Sequence, residues 1–178
     1  MQTYIALLRG INVSGQKIIK MAELRTHLEK AGLKEVQTYI QSGNIVFKHT
    51  DSPEKLTKTI VDTIQSKYGF EVPTLVITAD YIKEVLDNDP YTKNPDINPD
   101  KVYFTLLADA PKQEHVEKLK EYNYPPEEWV LGNKVIYFHS PNGAGNAKFS
   151  NNFFEQKLKV QATTRNLKTM NKLLEMGQ

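Results

Sequence analysis

The order in which the chain switches between two hydrophobic periods is what most narrows its fold. Apolar residues alternate over 3–9, recur at helical spacing over 21–31, alternate again over 35–41 and 44–48, return to helical spacing over 53–68, and end in an apolar run over 73–78. That order predicts strand, helix, strand, strand, helix, strand, a βαββαβ unit. Met21, Leu24, Leu28 and Ala31 form the stripe of the first helix, with Gly32 as its stop. Leu56, Ile60 and Ile64 do the same for the second, which opens at Ser52 with Pro53 in its first position. Ser42, Gly43 and Asn44 supply the turn between the middle strands.

The second half repeats the element order without a residue-level repeat. A helix over 79–88 and a Pro- and Asp-rich connection, 89–100, lead to a strand at 101–108. A helix over 112–122, a hairpin of 127–131 and 134–139, and a helix near 148–158 follow. A short strand at 160–162 and a final helix over 165–176 complete the pattern. The expectation is an α+β fold of tandem ferredoxin-like βαββαβ units with a C-terminal helix. Residues 1–78 form the first half, 79–100 the connection, and 101–178 the second half, the two forming one unit. Strand alternation places Ile5 and Leu7 opposite Tyr4, Ala6 and Leu8, and all are apolar. Both faces of the sheet should therefore be covered, by the other half or by shared helices.

At 178 residues the chain should bury about 70% of its unfolded surface, enough to fold without cross-links. It has no cysteine, which removes disulfides, thiolate metal sites and cysteine nucleophiles. The N-terminal run, Tyr4–Leu8, lacks the character of a secretory signal, and no segment reaches spanning length. A cytoplasmic protein without a membrane partner is expected. The net charge of +2 argues against bulk coating of nucleic acid. Residues 1–78 carry 10 basic and 7 acidic side chains, 79–128 carry 6 and 12, and 129–178 carry 7 and 2.

Four segments offer polar chemistry. Arg9, Gly10 and Asn12, with Lys17 and Lys20, lie on a glycine-bearing strand-to-helix loop that could turn N–H groups toward an anion. It is neither a dinucleotide fingerprint nor a P-loop. Tyr39, Ser42 and Asn44 occupy the hairpin tip, where they bind a ligand or simply make the turn. Thr163, Thr164, Arg165 and Asn166 stand where a threonine would cap the last helix beside a guanidinium. Gly143, Gly145, Asn146 and Lys148 form a flexible connection in which Lys148 could hold phosphate. His27, His49, His115 and His139 are isolated in sequence, no metal set is spaced for ligation, and no cofactor is implied. Asp87 and Asp89 read as the solvated end of a helix.

The motifs LLRGIN (7–12), TYIQSGN (38–44) and TTRN (163–166), taken together, resemble the bacterial family called domain of unknown function 1697. The resemblance implies a tandem ferredoxin-like fold and a cytosolic setting, and directs attention to Arg9, Gly10, Asn12, Tyr39, Ser42, Gly43, Asn44, Thr164, Arg165 and Asn166. The family often has tryptophan where this chain has Leu167, and a Gly-x-x-Ser-Lys loop where it reads Gly145-Asn146-Ala147-Lys148. Three functions are expected in descending order. They are binding of a small anionic or phosphate-containing ligand, an enzyme acting on a nucleotide or phosphorylated metabolite, and an interaction module. RNA binding ranks below these because the first and third strands lack the aromatic pattern of an RNA-recognition sheet. The oligomeric state is not expressed in the sequence.

Overall fold

The computed structural model describes the whole chain, Met1–Gln178. It divides into two compact units, Met1–Lys83 with Lys172–Gln178, and Glu84–Asn171. The fold is mixed α+β with two four-stranded antiparallel sheets and six α-helices.

The first unit runs β1 (Gln2–Leu8), α1 (Met21–Lys30), β2 (Lys34–Tyr39), β3 (Asn44–His49), α2 (Pro53–Tyr68) and β4 (Thr74–Thr78). Its strand order is β2-β3-β1-β4. β1 is central, pairing Ile5 with Val46 on one side and with Ile77 on the other. Tyr4, Ala6, Leu8, Ile45 and Phe47 share a core with Leu24 and Leu28 of α1 and Leu56, Ile60 and Ile64 of α2. Ile5, Leu7, Val46 and Ile77, on the opposite side, are buried too, so both faces are covered as the alternation requires. Ser52 caps α2 by accepting from Lys55 N, and Gly69 ends it in the left-handed conformation.

α3 (Ala79–Asp87) carries the chain into the second unit, which runs β5 (Val102–Leu107), α4 (Gln113–Leu119), β6 (Glu128–Leu131), β7 (Val135–His139), α5 (Asn151–Leu158) and β8 (Ala162–Asn166). The order is β6-β7-β5-β8, again antiparallel with its first strand central. α6 (Leu167–Gly177) returns to the first unit. Its end lies against β1, since a Cβ at Gly177 would stand 3.8 Å from Ile5 Cδ1. The helix-covered core of the second unit is aromatic. Phe149 stacks on Phe154 at 5.7 Å, and Phe138 meets both edge-on.

Two expectations about local structure are corrected. The TTRN segment is not a helix start preceded by a short strand; it is β8 itself. Thr163 and Thr164 are β-branched and pair with Leu106 and Thr105, and this pairing overrides their local capping preference. The helix expected near 148 begins at Asn151, because Ser150 caps it by accepting from Phe153 N at 3.2 Å.

Truncating Phe154, fully buried against the rings of Trp129, Phe138, Phe149 and Phe153, should cost about 3–5 kcal/mol. Urea titration of Phe154→Ala should show a lower midpoint with an unchanged slope; a loss under 1 kcal/mol would mean this cluster is not the core of its unit.

Candidate functional site

In the first unit the structure brings LLRGIN and TYIQSGN together through bonds that engage the amides of Asn12 and Asn44. Asn12 Nδ2 donates to Gln41 O at 2.8 Å and to Ile19 O at 3.0 Å, while its Oδ1 accepts from Ile19 N at 2.8 Å. Asn44, fully buried, donates to Tyr39 O and to Ser42 Oγ, both at 3.0 Å. Gly43 O receives Leu8 N at 2.8 Å. At Gly43, with φ +92°, an added Cβ would meet Leu8 Cβ at 2.5 Å, so only glycine lets the tip lie on the end of β1. Arg9 is half-buried with its backbone N–H on Pro73 O, and Gly10 is exposed. Asn12, expected as a ligand donor, thus clamps the two loops together, while Asn44 and Ser42, also expected as donors, brace the hairpin tip from within.

In the second unit the register of β8 separates Thr164 from Arg165. Thr164 pairs with Thr105, and Arg165 with Phe104, so their side chains leave opposite faces of the sheet. Arg165 Nη1 donates to Thr163 Oγ1 at 2.9 Å and to Thr164 O at 3.0 Å. Loss of hydration pulls its guanidinium down to about 10. Asn166, rather than a threonine, caps α6, accepting from Thr169 N at 2.9 Å.

Thr164 and Asn166 line a cleft of about 330 Å³. Tyr103, Phe138 and Phe149 supply aromatic walls, and Ser150 and Asn151 bring the N-terminus of α5 to it. A directed polar chain crosses the cleft. Thr164 donates to Asn151 Oδ1 at 2.9 Å, so its contact with Thr105 Oγ1, at 2.8 Å, is one in which Thr105 donates. Asn151 Nδ2 in turn donates to Ala162 O at 3.1 Å. Tyr103 accepts from Ala144 N at 3.2 Å, which leaves its hydroxyl proton to give. Lys101 Nζ lies 3.7 Å from where a Cβ of Gly143 would be, and exposed Lys148 directly precedes Phe149. The backbone N–H groups of Lys148 and Phe149 are taken by the Glu127 carboxylate, both at 2.9 Å. That part of the loop already holds an anion of the protein itself. No histidine or carboxylate lines the cleft.

Only Thr164 and Asn166 among the lining residues were expected. The rest were masked because Tyr103, Phe138 and Phe149 read as core aromatics, although Thr105 is a lone polar residue in the apolar run VYFTLL and Ser150-Asn151 matches a helix cap.

A second polar group surrounds the segment after α3, and here two expectations are corrected. Asp89 is 1% exposed, not solvated. Its Oδ1 accepts from Tyr91 N at 2.8 Å, and its Oδ2 has no protein partner. The histidines are not isolated in space: His139 Nδ1 lies 3.1 Å from Glu128 Oε1 because the two are paired across β6 and β7, and its ring rests 5.7 Å from Tyr91. His49 similarly accepts from Asp51 N at 3.0 Å. Burial, then the charges of Glu128 and Asp89, push the Tyr91 phenol far up. Burial, then Asp89 and Glu84, push Tyr137 up to about 12, and its hydroxyl donates to Val85 O at 2.9 Å. No cluster of histidines and carboxylates is arranged to hold a metal ion.

Comparison with known proteins bears on both units. A family model described as "Protein of unknown function (DUF1697)" matches residues 1–137. The chain belongs to that family. Within the matched span lie LLRGIN and TYIQSGN of the DUF1697 chain; TTRN and most of the cleft fall beyond it. The whole fold is shared with a solved structure, that of the conserved bacterial protein SP0830 from Streptococcus pneumoniae. It is 25% identical, with a TM-score of 0.77 and 99% of each chain covered. No curated protein matches this chain significantly.

Two measurements check this geometry. Asn12→Gly tolerates φ 55° and removes only the side-chain bonds, so it should lower stability by about 2–3 kcal/mol in denaturant titration; an unchanged midpoint would show that the loops do not depend on the clamp. Raised phenol values mean that the neutral forms contribute stability fully present below pH 10 and lost as pH rises through about 12. In an ultraviolet titration Tyr91 and Tyr137 should ionise last of the nine tyrosines, together with unfolding; full phenolate absorbance in a still-folded protein near pH 10 would refute their burial.

Proposed function

We propose that this DUF1697 protein binds a small ligand in the cleft of its second unit, a planar ring joined to an anionic group, such as a nucleoside phosphate. The observation that carries the reading is the conjunction of aromatic walls with the chain Thr105–Thr164–Asn151. Tyr103, Phe138 and Phe149 suit a flat ring. The lone pairs left on Thr164 and on Asn151 Oδ1 suit N–H donors of a heterocycle, and the Tyr103 hydroxyl suits an acceptor. The positive end of α5, with Lys101 beside Gly143 and the exposed Lys148 next to the lining residue Phe149, suits the anion. The volume lies at the lower end of the range of small-ligand sites.

The lining of hydroxyls and amides supports binding over turnover, since proton transfer needs a group that titrates near the working pH. The buried sheet faces of the first unit argue against an RNA-binding platform there. The finer architecture belongs to the same reading: strand orders β2-β3-β1-β4 and β6-β7-β5-β8, each in a βαββαβ sequence of elements, support two ferredoxin-like halves in tandem. The absence of cysteine supports a reducing, cytoplasmic setting.

Adenosine monophosphate and guanosine monophosphate, tested beside their nucleosides and inorganic phosphate, provide the check. A fitting nucleotide at 100 times its dissociation constant should stabilise the fold by about 2.7 kcal/mol, a rise in Tm of roughly 5–10 °C. Thr164→Val should weaken the response about 10-fold, and Lys148→Ala should weaken the nucleotide but not the nucleoside. If neither nucleotide shifts Tm, or the shift survives Thr164→Val unchanged, the cleft is not this site.

A further inference from the structure

The first unit exposes aliphatic side chains where its two motif loops meet. Val13 is 57% exposed, Ile18 58% and Ile40 50%, and these are three of the five large hydrophobic residues that stand out in solvent anywhere in the molecule. They are held by a backbone that chains of this kind ordinarily avoid. Asn12, Ser14, Lys17 and Ile40 all have φ between 46° and 55°, and a β-branched residue such as Ile40 is rarely found there. The bond from Asn12 Nδ2 to Gln41 O, the residue next to Ile40, ties the two loops into one tip. The left-handed Ile40 and the exposed aliphatics are both unfavourable, and no contact within the unit covers the exposed side chains.

We propose that this tip is a docking surface for an anionic phospholipid bilayer, into which Val13, Ile18 and Ile40 insert at the headgroup boundary. Charge complementarity favours that occupant. Residues 1–22 contain Arg9, Lys17 and Lys20 and no carboxylate, and residues 36–50 contain none either. The Lys20 side chain is 79% exposed, with its Nζ 4.0 Å from the carboxylate of Glu23, and Lys17 Nζ donates to Glu71 O at 2.8 Å. Aliphatic points surrounded by lysine are what an anionic interface accepts, since each side chain inserts separately and no matched partner surface is needed. A second copy of the chain fits less well, because three half-exposed side chains fall far short of the about 800 Å² per partner that a stable interface buries. Nucleic acid fits less well too. No aromatic ring is exposed at the tip for stacking, and the Asn12 and Asn44 amides are engaged inside it. The sequence expectation of no membrane partner rested on the lack of spanning segments, and the structure has no helix long and apolar enough to cross a membrane. Peripheral insertion needs none.

Vesicle flotation of the full chain decides this. The protein should float with vesicles of phosphatidylglycerol and phosphatidylcholine in equal parts, and not with phosphatidylcholine alone. Ile18→Ser, Ile40→Asn and Lys20→Gln should each lower partitioning roughly 5-fold. Ile40→Asn should keep or raise Tm, since asparagine tolerates the left-handed backbone, so its loss of binding cannot be ascribed to unfolding. The proposal is overturned if the native protein does not float with the anionic vesicles, or if it floats equally well after Ile18→Ser and Ile40→Asn. A concentration-dependent dimer, or a complex with a single-stranded oligonucleotide, abolished by these substitutions while flotation persists would also overturn it.

Discussion

Each sheet depends on a strand that is paired along both edges and, in the first unit, enclosed on both faces. In β1 every residue from Tyr4 to Leu8 is buried, with β3 on one side and β4 on the other. β5 has the same position in the second unit, between β7 and β8. A strand so enclosed can meet its backbone hydrogen bonds only through its neighbours, which fixes their register and leaves the ends of the strands as the places where the chain can present anything else. The loop clamp sits at the end of β1, and the cleft lies beside β5 and β8.

The two ends resolve the same problem differently. At the end of β1 the turn of β2 and β3 is laid directly on Leu8, and the amides of Asn12 and Asn44 are turned inward to hold it. What faces out is therefore aliphatic. At the β5–β8 pair, Tyr103 and Thr105 meet Asn166 and Thr164, and the short turn before α5 leaves the space above them open. What faces out there is an aromatic wall with hydrogen-bonding capacity left over. The segments that resemble one another as polar, glycine-bearing loops thus have opposite surface character.

Between β6, β7 and the segment after α3, the fold places one buried carboxylate, Asp89, and one exposed carboxylate, Glu128, near buried phenols. Asp89 beside Tyr91, and Glu128 beside His139, stand in surroundings that favour neutral phenols. Acid and phenol meet there because the strand pairing sets Glu128 opposite His139 and the chain after α3 passes over them. Asp89, only two residues beyond the end of α3, gave no sign of this in the sequence.

The sequence by itself determined most of the elements, those before β8 above all. Periods of 2 and 3.6, Gly32 after α1, Ser52 and Pro53 at the start of α2 and the Ser42–Asn44 turn are local signals, and local sterics and hydrogen bonding suffice to read them. It also determined that β1 would be covered on both faces, because alternation along one strand needs no knowledge of its neighbours. Only the tertiary structure decided the chemistry of the motifs. Thr163 and Thr164 became strand rather than cap because β5 was there to pair with them, and that pairing sent Arg165 to one face and Thr164 to the other. Asn12 became a clamp because Gln41, distant in sequence, lies within 2.8 Å. A polar side chain's role depends on which partner reaches it first, and partners brought together by strand pairing leave no periodic trace along the chain.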